Sequence, residues 1–499
     1  MRIFPNGTVG RVGVNRATPA DEPRRVLFRV DASETMGAGH LVRCLAIATE
    51  LRDRGIHSTF LVADMAAPYR AWIHEARHEL LGEREAASLS VGGYGWAVVD
   101  HYGLDAEWID RHRSIAARWL AIDDLVNRPL PVDVLVNPNP WVESGAYSGL
   151  VNPTTRLLVG TNFAPIRREF VVMASAPRTF ETAGQVFVGL GGGSAGPATA
   201  TAVAAVRQGL PNARISVVTG PGGEPVLDRE GAADPRVDML GSVAAGDLAK
   251  LMAAADLAIG AGGTSSWERC VLGLPTIVVH LADNQAPVAA ALARAGAAID
   301  IGPVATASVE RLAEAIRDLA ADPAAREAMS DRARHLVDGR GAARIANVLE
   351  GVRVRAAAPS DARLLWTWAN DPATRANSLH PAPIPWAVHE AWIARRLADP
   401  RTVLLIGENA AGPVGQVRFE PGETVEVSIA VAPDRRGELL GELLLAASLD
   451  ELRRRGERGA IHARVKSENE ASRRLFETFG FQPESPHAGV LSYFLPGER

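Results

Sequence analysis

A histidine follows a glycine-containing loop near the N-terminus, in the stretch DASETMGAGHLVRCLAIATELRDRG. The apolar run VLFRV precedes this loop and a helical apolar period follows it, so His40 falls in the first turn of a helix that leaves a strand. Gly37 and Gly39 allow a tight turn and close approach of a ligand. A helix N-terminus favours a neutral imidazole, which can take a proton from water. His40 is therefore a candidate general base, although capping or packing would also explain it.

A second glycine turn occurs in LAIGAGGTSSWERCVLGLP, where a strand again leads into a helix. Free backbone N–H groups at such a helix start can bind a pyrophosphate without a metal. The residues that would form this phosphate site are Gly262, Gly263, Thr264 and Ser265. The two hydroxyls could instead cap the helix. Glu268, one turn further on, could accept hydrogen bonds from ribose hydroxyls or could simply favour the helix dipole.

Three more strand ends carry polar or glycine residues. The glycine run after QVFVGL supplies Gly192 as a phosphate-loop candidate, and VDHYGLD places Tyr102 just after a strand. In HLADNQ, the amides of Asn284 and Gln285 could hold sugar or phosphate oxygens. The alternative is that Asp283 and Asn284 cap the next helix.

The secondary-structure elements that position these residues follow a repeating pattern. Strands and helices alternate over about 25–165 and again over about 185–350, which predicts two parallel, doubly wound α/β units with a ligand cleft between them. The last part has hairpin-spaced strands and predicts a mixed sheet. The predicted units are a disordered lead-in and three domains, with the limits 1–24, 25–170, 171–350 and 351–499.

The composition excludes several function classes. A formal net charge of -5 argues against a nucleic-acid partner, and no apolar run approaches the ~20 residues of a membrane span. The two cysteines, Cys44 and Cys270, both fall in predicted helices, so we expect a reducing, cytoplasmic setting without disulfides. No Cys/His cluster has metal-ligand spacing, and we expect no metal.

Five motifs occur in a fixed order: RVDASETMGAGHLVRCLAIATEL, VDHYGLDAEW, AIDDLVNRP, VGLGGGSAGP and IGAGGTSSWERCVLGLPTIVVHLADNQ. Together they resemble the UDP-sugar hydrolases of pseudaminic acid biosynthesis over about residues 25–340. The resemblance implies two Rossmann-like domains of glycosyltransferase-B type that cleave a nucleotide-sugar bond with water and without a metal. It also implies that His40 activates the water, that Tyr102 lines the sugar site and that Glu268 binds the ribose.

Two polar residues of the first motif, Asp31 and Arg43, match the same family. Arg43 is either a ligand of the substrate or a structural partner of Asp31. The glycine run at Gly192 departs from the family, which usually carries a Gly-Gly-Ser-Asp run at that point. Ser194 stands where the family has an acidic residue.

The third block resembles acetyltransferases of the GCN5-related (GNAT) superfamily, in particular the amino-sugar N-acetyltransferase of the same pathway. The motif IAVAPDRRGELLGELLL implies that backbone amides from Arg436 to Gly441 wrap the pyrophosphate of acetyl-CoA, with charge added by Arg435 and Arg436. Leu439 replaces the usual middle glycine and could still offer its N–H if the backbone stays helical. The resemblance assigns acetyl-CoA contacts to Ala432, Arg436, Gly437, Leu439, Gly441, Asn469 and Phe476.

The chemistry of acetyl transfer has less certain candidates. Phe476 stands where many relatives have a tyrosine that protonates the leaving thiolate, and Tyr493 or a water could replace it. Glu426 could accept the proton of the amine, and His380 and His389 lie in the expected acceptor arm. A surface or core role is an equal alternative for Glu426 and for both histidines.

These features lead to one main hypothesis and two alternatives. The main hypothesis is a bifunctional enzyme that acetylates the 4-amino group of a UDP-amino sugar and then hydrolyses the product to UDP and free sugar. In the first alternative, the first two domains transfer the sugar to a sugar or lipid acceptor instead of water. In the second, the third domain is a degenerate CoA-binding or interaction module.

Overall fold

The computed structural model describes residues 24–33, 36–86, 89–191, 196–220, 234–422, 424–484 and 489–497. Three separate β-sheets organise this part of the chain, with seven, six and seven strands in chain order. Each of the three sequence blocks supplies one sheet.

The first lobe is a parallel sheet with the strand order β3-β2-β1-β4-β5-β6-β7. Its strands are Arg25–Val30 (β1), His57–Val62 (β2), Glu79–Gly82 (β3), Tyr94–Asp100 (β4), Ala116–Ile122 (β5), Val134–Asn137 (β6) and Arg156–Val159 (β7). Its helices are Gly39–Arg52 (α1), Ala67–Glu75 (α2), Glu83–Ala86 (α3) and Ala106–Arg111 (α4). The order reverses between β1 and β4, so the loops that follow these two strands border the crevice where open α/β sheets bind ligands.

The second lobe is a parallel sheet with the order β10-β9-β8-β11-β12-β13. Its strands are Gln185–Gly189 (β8), Arg214–Val218 (β9), Val237–Leu240 (β10), Leu257–Ala261 (β11), Thr276–His280 (β12) and Ile299–Pro303 (β13). The helices of this part of the chain are Arg168–Met173 (α5), Gly196–Gly209 (α6), Ala245–Ala254 (α7), Ser265–Leu272 (α8), Ala286–Ala295 (α9), Val309–Ala321 (α10), Pro323–Leu336 (α11) and Gly341–Glu350 (α12). Here the order reverses between β8 and β11, next to the predicted phosphate turn.

The third domain is a mixed sheet with the order β14-β15-β16-β17-β18-β20-β19. Its strands are Arg353–Ala356 (β14), Val403–Asn409 (β15), Gly412–Glu420 (β16), Val425–Val431 (β17), Ile461–Lys466 (β18), Gln482–Pro483 (β19) and Val490–Leu495 (β20). Its helices are Ala362–Ala369 (α13), Pro372–Asn377 (α14), Trp386–Ala398 (α15), Leu440–Arg454 (α16) and Glu470–Thr478 (α17). The parallel strands β17 and β18 pair only at Val425 with Ile461 and at Glu426 with His462, so they separate into a wedge beyond these residues.

One predicted element of the first lobe is wrong. The sequence predicts a helix near 105–117, but α4 ends at Arg111 and a short 3-10 turn, Arg113–Ile115, leads directly into β5. The side chain of Asp105 caps the start of this short helix by accepting a hydrogen bond from the N–H of Trp108. Residues 116 and 117, which the helical periodicity assigned to this helix, belong to the strand β5.

The last helix of the second block, α12, packs on the first lobe against α1. Apolar residues of α12 belong to the same buried cluster as those of β1, β2 and α1. At its first residue, Gly341, a Cβ atom would lie 2.1 Å from the carbonyl oxygen of Ala164, so only glycine fits there. The two cysteines, Cys44 and Cys270, are buried in different lobes and are not bonded to each other. No helix in the described segments is long and apolar enough to span a bilayer.

We predict that Gly341→Ala destabilises the protein, because the new methyl group must displace backbone at Ala164. The expected loss is about 1–3 kcal/mol of unfolding free energy, measured by urea denaturation. Gly145→Ala is the matched control, because a Cβ there meets nothing within 4 Å. Equal stabilities of the two variants would contradict the close approach of α12.

Candidate active site

A buried carboxylate organises the end of β4. Asp100 is fully buried, and its Oδ1 lies 2.6 Å from Nδ1 of His40, the second residue of α1. Arg43, one turn later, donates from Nε to Oδ2 at 2.5 Å and from Nη2 to Oδ1 at 2.6 Å. The thiol of Cys44 lies 3.6 Å from Oδ2. Three side chains on one face of α1 therefore converge on Asp100.

This arrangement fixes the protonation states. Burial opposes ionisation of Asp100, but the charge of Arg43 and the hydrogen bonds from Arg43 and His40 hold the pKa of Asp100 well below its usual range. Arg43 Nη2 lies 3.2 Å from the same Nδ1, but the shorter 2.6 Å contact is to a carboxylate, which only accepts hydrogen bonds, so it favours the imidazole proton on Nδ1. Nε2 is then the nitrogen that can take a proton, as a general base requires.

A second carboxylate, at the end of the adjacent strand β5, extends the cluster. Asp124 accepts from Nη1 of Arg43 at 2.7 Å, from the hydroxyl of Tyr102 at 3.2 Å and from the amide of Asn139 at 3.3 Å. The ring of Tyr102 lies edge-on to the ring of His40, with 4.4 Å between the centroids. Burial and the nearby charge of Asp124 raise the pKa of Tyr102, so its hydroxyl stays protonated.

Asp31 lies outside this network. Its carboxylate is paired with Arg29 at 2.8 Å and with His101 at 3.4 Å, and it accepts hydrogen bonds from the backbone N–H groups of Ala63 and Asp64. Although burial raises the pKa of Asp31, these partners lower it to about 2.

The suggestion that Arg43 is a structural partner of Asp31 is wrong. Arg43 pairs with the carboxylates at the ends of β4 and β5, whereas Asp31 is occupied by partners from β1, β4 and the loop after β2. Asp31 anchors the loop that leads to His40, because its backbone contacts join the ends of β1 and β2.

The second lobe meets this cluster at the predicted phosphate turn. A Cβ atom on Gly39 would lie 3.0 Å from Oγ1 of Thr264, so the starts of α1 and α8 approach each other closely. Thr264 is the residue before α8, and its side chain makes no capping hydrogen bond, which contradicts a capping role. No acceptor among the described residues takes the N–H groups of Gly263, Thr264 or Ser265. The start of α8, with these unpaired donors, therefore lies next to the start of α1, which carries His40.

The other predicted residues of the second lobe are placed around this turn. A Cβ on Gly262 would lie 2.7 Å from the carbonyl oxygen of Gln285, so this glycine permits two loops to touch. The side chain of Gln285 accepts from the N–H of Leu281, and Asn284 is exposed. Neither Asp283 nor Asn284 caps α9, whose preceding residue is Gln285. Gly192 and Ser194 lie outside the described residues.

Glu268 is buried in an ion pair. Arg167 donates to its two carboxylate oxygens from Nε at 2.7 Å and from Nη2 at 3.0 Å. This fork-to-fork geometry orients the carboxylate but leaves each oxygen a second lone pair for a hydroxyl donor. A ribose-binding role for Glu268 stays a prediction.

In the third domain, the segment between β17 and α16 carries the predicted acetyl-CoA loop. We name residues 436–441 the diphosphate loop. Among the described parts of the chain, no group accepts a hydrogen bond from the backbone N–H groups of this loop. Ala432 is buried just before it, and the side chain of Arg436 donates to Asp371 and to Thr374.

Leu439 does not continue a right-handed helix, and its N–H is nevertheless left without an acceptor among the described residues. Its backbone has φ 63° and ψ 3°, the left-handed conformation, and α16 begins only at Leu440. Glycine usually takes this conformation because a Cβ is unfavourable there. The loop thus retains the shape of a glycine turn without the glycine.

The predicted acetyl-transfer residues are not gathered at one point. Glu426 sits at the paired end of β17, about 20 Å of strand from the diphosphate loop, and Arg464 donates to both of its oxygens. Asn469 caps α17 by accepting from the N–H of Ser472. Phe476 packs in the core against Tyr493, with ring centroids 6.1 Å apart.

Two of the candidate side chains in this domain have other partners. His389 is buried between tryptophans of α15 and contacts the carbonyl oxygen of Ala362, so it belongs to the core rather than to an open acceptor arm. Burial lowers its pKa. The hydroxyl of Tyr493 is engaged with Glu477 at 2.8 Å, and burial raises its pKa, which disfavours a role as proton donor. His380 is exposed.

Asp100, Asp124 and Arg167 are not among the residues predicted from the sequence. Asp100 ends the apolar strand β4 and Asp124 lies two residues after β5. The ends of adjacent parallel strands meet at one sheet edge, which is the signal that could have found them. No comparable pattern marks Arg167. Within the described ranges, no group of three or more His, Cys, Asp or Glu side chains has the arrangement of a metal site.

Two protein-family models match separate parts of the chain. The glycosyltransferase family 28 C-terminal domain matches residues 234–347, and the acetyltransferase (GNAT) domain matches residues 352–482. A UDP-2,4-diacetamido-2,4,6-trideoxy-beta-L-altropyranose hydrolase of Campylobacter jejuni is 27% identical over 176 residues, which are 34% of this chain. The chain spans only 60% of the length of that relative.

A longer match decides the family. A UDP-N-acetylglucosamine--N-acetylmuramyl-(pentapeptide) pyrophosphoryl-undecaprenol N-acetylglucosamine transferase of Sorangium cellulosum is 32% identical over 367 residues, covering 69% of this chain and 84% of the relative. The chain belongs to glycosyltransferase family 28. Its first two lobes have the glycosyltransferase-B fold, and this family 28 chain carries a GNAT domain after them, which confirms the predicted fold class and the resemblance to the fused hydrolase and acetyltransferase.

Among solved structures, the spermidine N-acetyltransferase of Vibrio cholerae in complex with CoA and spermine matches the GNAT domain. The match covers 29% of the family 28 chain and 95% of the acetyltransferase, with 19% identity and a TM-score of 0.27.

We predict that neutral His40 carries its proton on Nδ1, because Asp100 accepts it there. Two-bond ¹H–¹⁵N NMR spectra of the imidazole should show a protonated Nδ1 and an unprotonated Nε2. Asp100→Asn should reduce this preference, because an amide can also donate to Nδ1. The exposed Asp105→Asn should leave it unchanged. A protonated Nε2 in the unaltered protein would contradict the proposed orientation.

Proposed function

We propose that the chain is a bifunctional nucleotide-sugar enzyme of nonulosonic acid biosynthesis. Its first two lobes hydrolyse UDP-2,4-diacetamido-2,4,6-trideoxy-L-altrose to UDP and free sugar. Its GNAT domain acetylates the 4-amino group of the UDP-amino-sugar precursor with acetyl-CoA. The observation that carries the proposal is the hydrogen bond from His40 to buried Asp100 at the junction with Thr264.

The hydrolysis needs a base, a site for the leaving group and a fixed geometry. Nε2 of His40 removes a proton from water, the water oxygen bonds to the anomeric carbon, and the bond from that carbon to the UDP oxygen breaks. The free N–H groups of Gly263, Thr264 and Ser265 stabilise the negative charge on the departing diphosphate. Asp100 stabilises the imidazolium that forms, as a buried carboxylate does for a catalytic histidine.

The acetyl transfer uses the GNAT domain. The 4-amino nitrogen attacks the thioester carbonyl of acetyl-CoA, the amine loses a proton, and CoA leaves as the thiol. The unpaired N–H groups of the diphosphate loop fit the CoA diphosphate. The backbone groups that face each other in the wedge between β17 and β18 supply hydrogen-bonding partners for the pantetheine amides.

The transferase relative from Sorangium cellulosum favours a second candidate for the first two lobes, in which a sugar or lipid hydroxyl replaces water. The two activities are distinguished by whether UDP release requires an acceptor. A hydrolase releases UDP from the nucleotide sugar in water alone, whereas a transferase is slow until its acceptor is added. Mass spectrometry of candidate UDP-amino sugars, with and without acetyl-CoA, identifies the products of both domains.

The third domain could still be a non-catalytic module, an alternative that Leu439 and Phe476 motivate. Calorimetry with acetyl-CoA and a free-thiol assay on a 4-amino nucleotide sugar distinguish the two. Binding without release of CoA would assign it as a binding module.

We predict that His40→Ala lowers the rate of UDP release at least ~100-fold, the usual contribution of a general base. Acetyl transfer should be unchanged, because the diphosphate loop is linked through Asn347 to Arg54, which lies past the far end of α1, roughly 20 Å from His40 along the helix axis. UDP and free CoA are measured in parallel. The exposed His74→Ala is the control. Loss of both activities in a folded His40→Ala protein would contradict separate sites.

A further inference from the structure

The diphosphate loop is held by a helix that belongs to the preceding part of the chain. Three consecutive carbonyl oxygens of the loop accept hydrogen bonds from side chains at or on α12. Arg340 donates to the carbonyl of Arg436 at 2.9 Å, and Arg344 donates to that of Gly437 at 2.7 Å. Asn347 donates to the carbonyl of Glu438 at 2.9 Å. The contacts follow one another at helical spacing, so α12 lies along the loop.

Because each peptide unit is planar, these contacts also determine the direction of the backbone N–H groups of the diphosphate loop. In a trans peptide unit, the C=O and the following N–H point in opposite directions. Because the carbonyl groups of residues 436, 437 and 438 are hydrogen-bonded to side chains at α12, the N–H groups of residues 437, 438 and 439 must point away from α12. These are the N–H groups that have no acceptor in the described part of the molecule.

The supporting side chains are themselves fixed by the first lobe. Arg344 is 6% exposed and also donates to the carbonyl oxygen of Asn162 at 2.7 Å. Asn347 is fully buried, and its Oδ1 accepts from Nη1 of Arg54, just after α1, at 2.6 Å. The support therefore extends from the loop through α12 to Arg54, just after the helix that carries His40.

Two further contacts attach the loop to the first lobe. The side chain of Leu439 packs against the apolar cluster formed by the first sheet, α1 and α12. This contact offsets the cost of a left-handed conformation in a residue other than glycine. Glu442, in the first turn of α16, pairs with Arg156 of β7 at 2.6 Å.

We infer that Arg344, Asn347 and Leu439 are positioning residues for the acetyl-CoA site, although no contact of these side chains with the ligand is required. They hold the peptide planes of the diphosphate loop so that its N–H groups face the CoA diphosphate and its carbonyls do not. The affinity of the GNAT domain for acetyl-CoA then depends on the family 28 lobes. This inference rests on the proposed function of the loop as the acetyl-CoA site.

The test uses the full chain and a substitution that removes one donor. Asn347→Asp keeps the oxygen that accepts from Arg54 but places a second acceptor against the carbonyl of Glu438. We expect the Kd for CoA, by calorimetry, and the KM for acetyl-CoA to rise roughly tenfold. The kcat at saturating acetyl-CoA and UDP release by the first two lobes should change little. The exposed Asn152→Asp is the matched control.

A second variant keeps the inference testable if Asn347→Asp does not fold. Leu439→Gly restores the usual glycine and relieves the backbone, but it removes the contact with the first lobe. We expect weaker CoA binding, whereas a self-sufficient loop would bind equally well or better. If the unaltered protein binds CoA and the folded variants have the same KM for acetyl-CoA as the unaltered protein, this inference alone is overturned. Absence of CoA binding by the unaltered protein would overturn the proposed function as well.

Discussion

The buried carboxylate of Asp100 is the constraint on which the candidate active site depends. A charge without solvent is tolerated only when it is fully paired, and Asp100 obtains its partners from His40, Arg43 and Cys44 on one face of α1. The pairing fixes the start of α1 against the end of β4. It also selects the tautomer of the histidine. One electrostatic requirement thus determines the position, the orientation and the chemistry of the imidazole.

The second lobe completes the site without sharing that network. It contributes the start of α8, where the backbone N–H groups have no acceptor among the described residues. This helix start can approach α1 closely because Gly39 has no side chain. Arg167 and Glu268 form a separate buried pair behind this turn. The proposed base and the proposed anion site therefore belong to different lobes.

Helix α12 links the two halves of the proposed function. It packs on α1, and its polar side chains donate hydrogen bonds to carbonyl oxygens of the diphosphate loop in the GNAT domain. The departure of Leu439 from the glycine motif has a physical reason here, because its side chain finds an apolar partner outside its own domain. The two proposed sites are connected through the packed helices α1 and α12.

The amino-acid sequence by itself indicated two doubly wound α/β units and a mixed sheet, the strand-to-helix turn that carries His40, the glycine turn before α8 and the motif of the proposed acetyl-CoA loop. Periodicity and glycine placement are local signals, so they survive without tertiary information. Tertiary structure alone decided that Arg43 pairs with Asp100 instead of Asp31, that His389 is a core residue and that Leu439 is left-handed. These outcomes depend on which distant residues become neighbours when charges and apolar surfaces are buried, and spacing along the chain does not encode that.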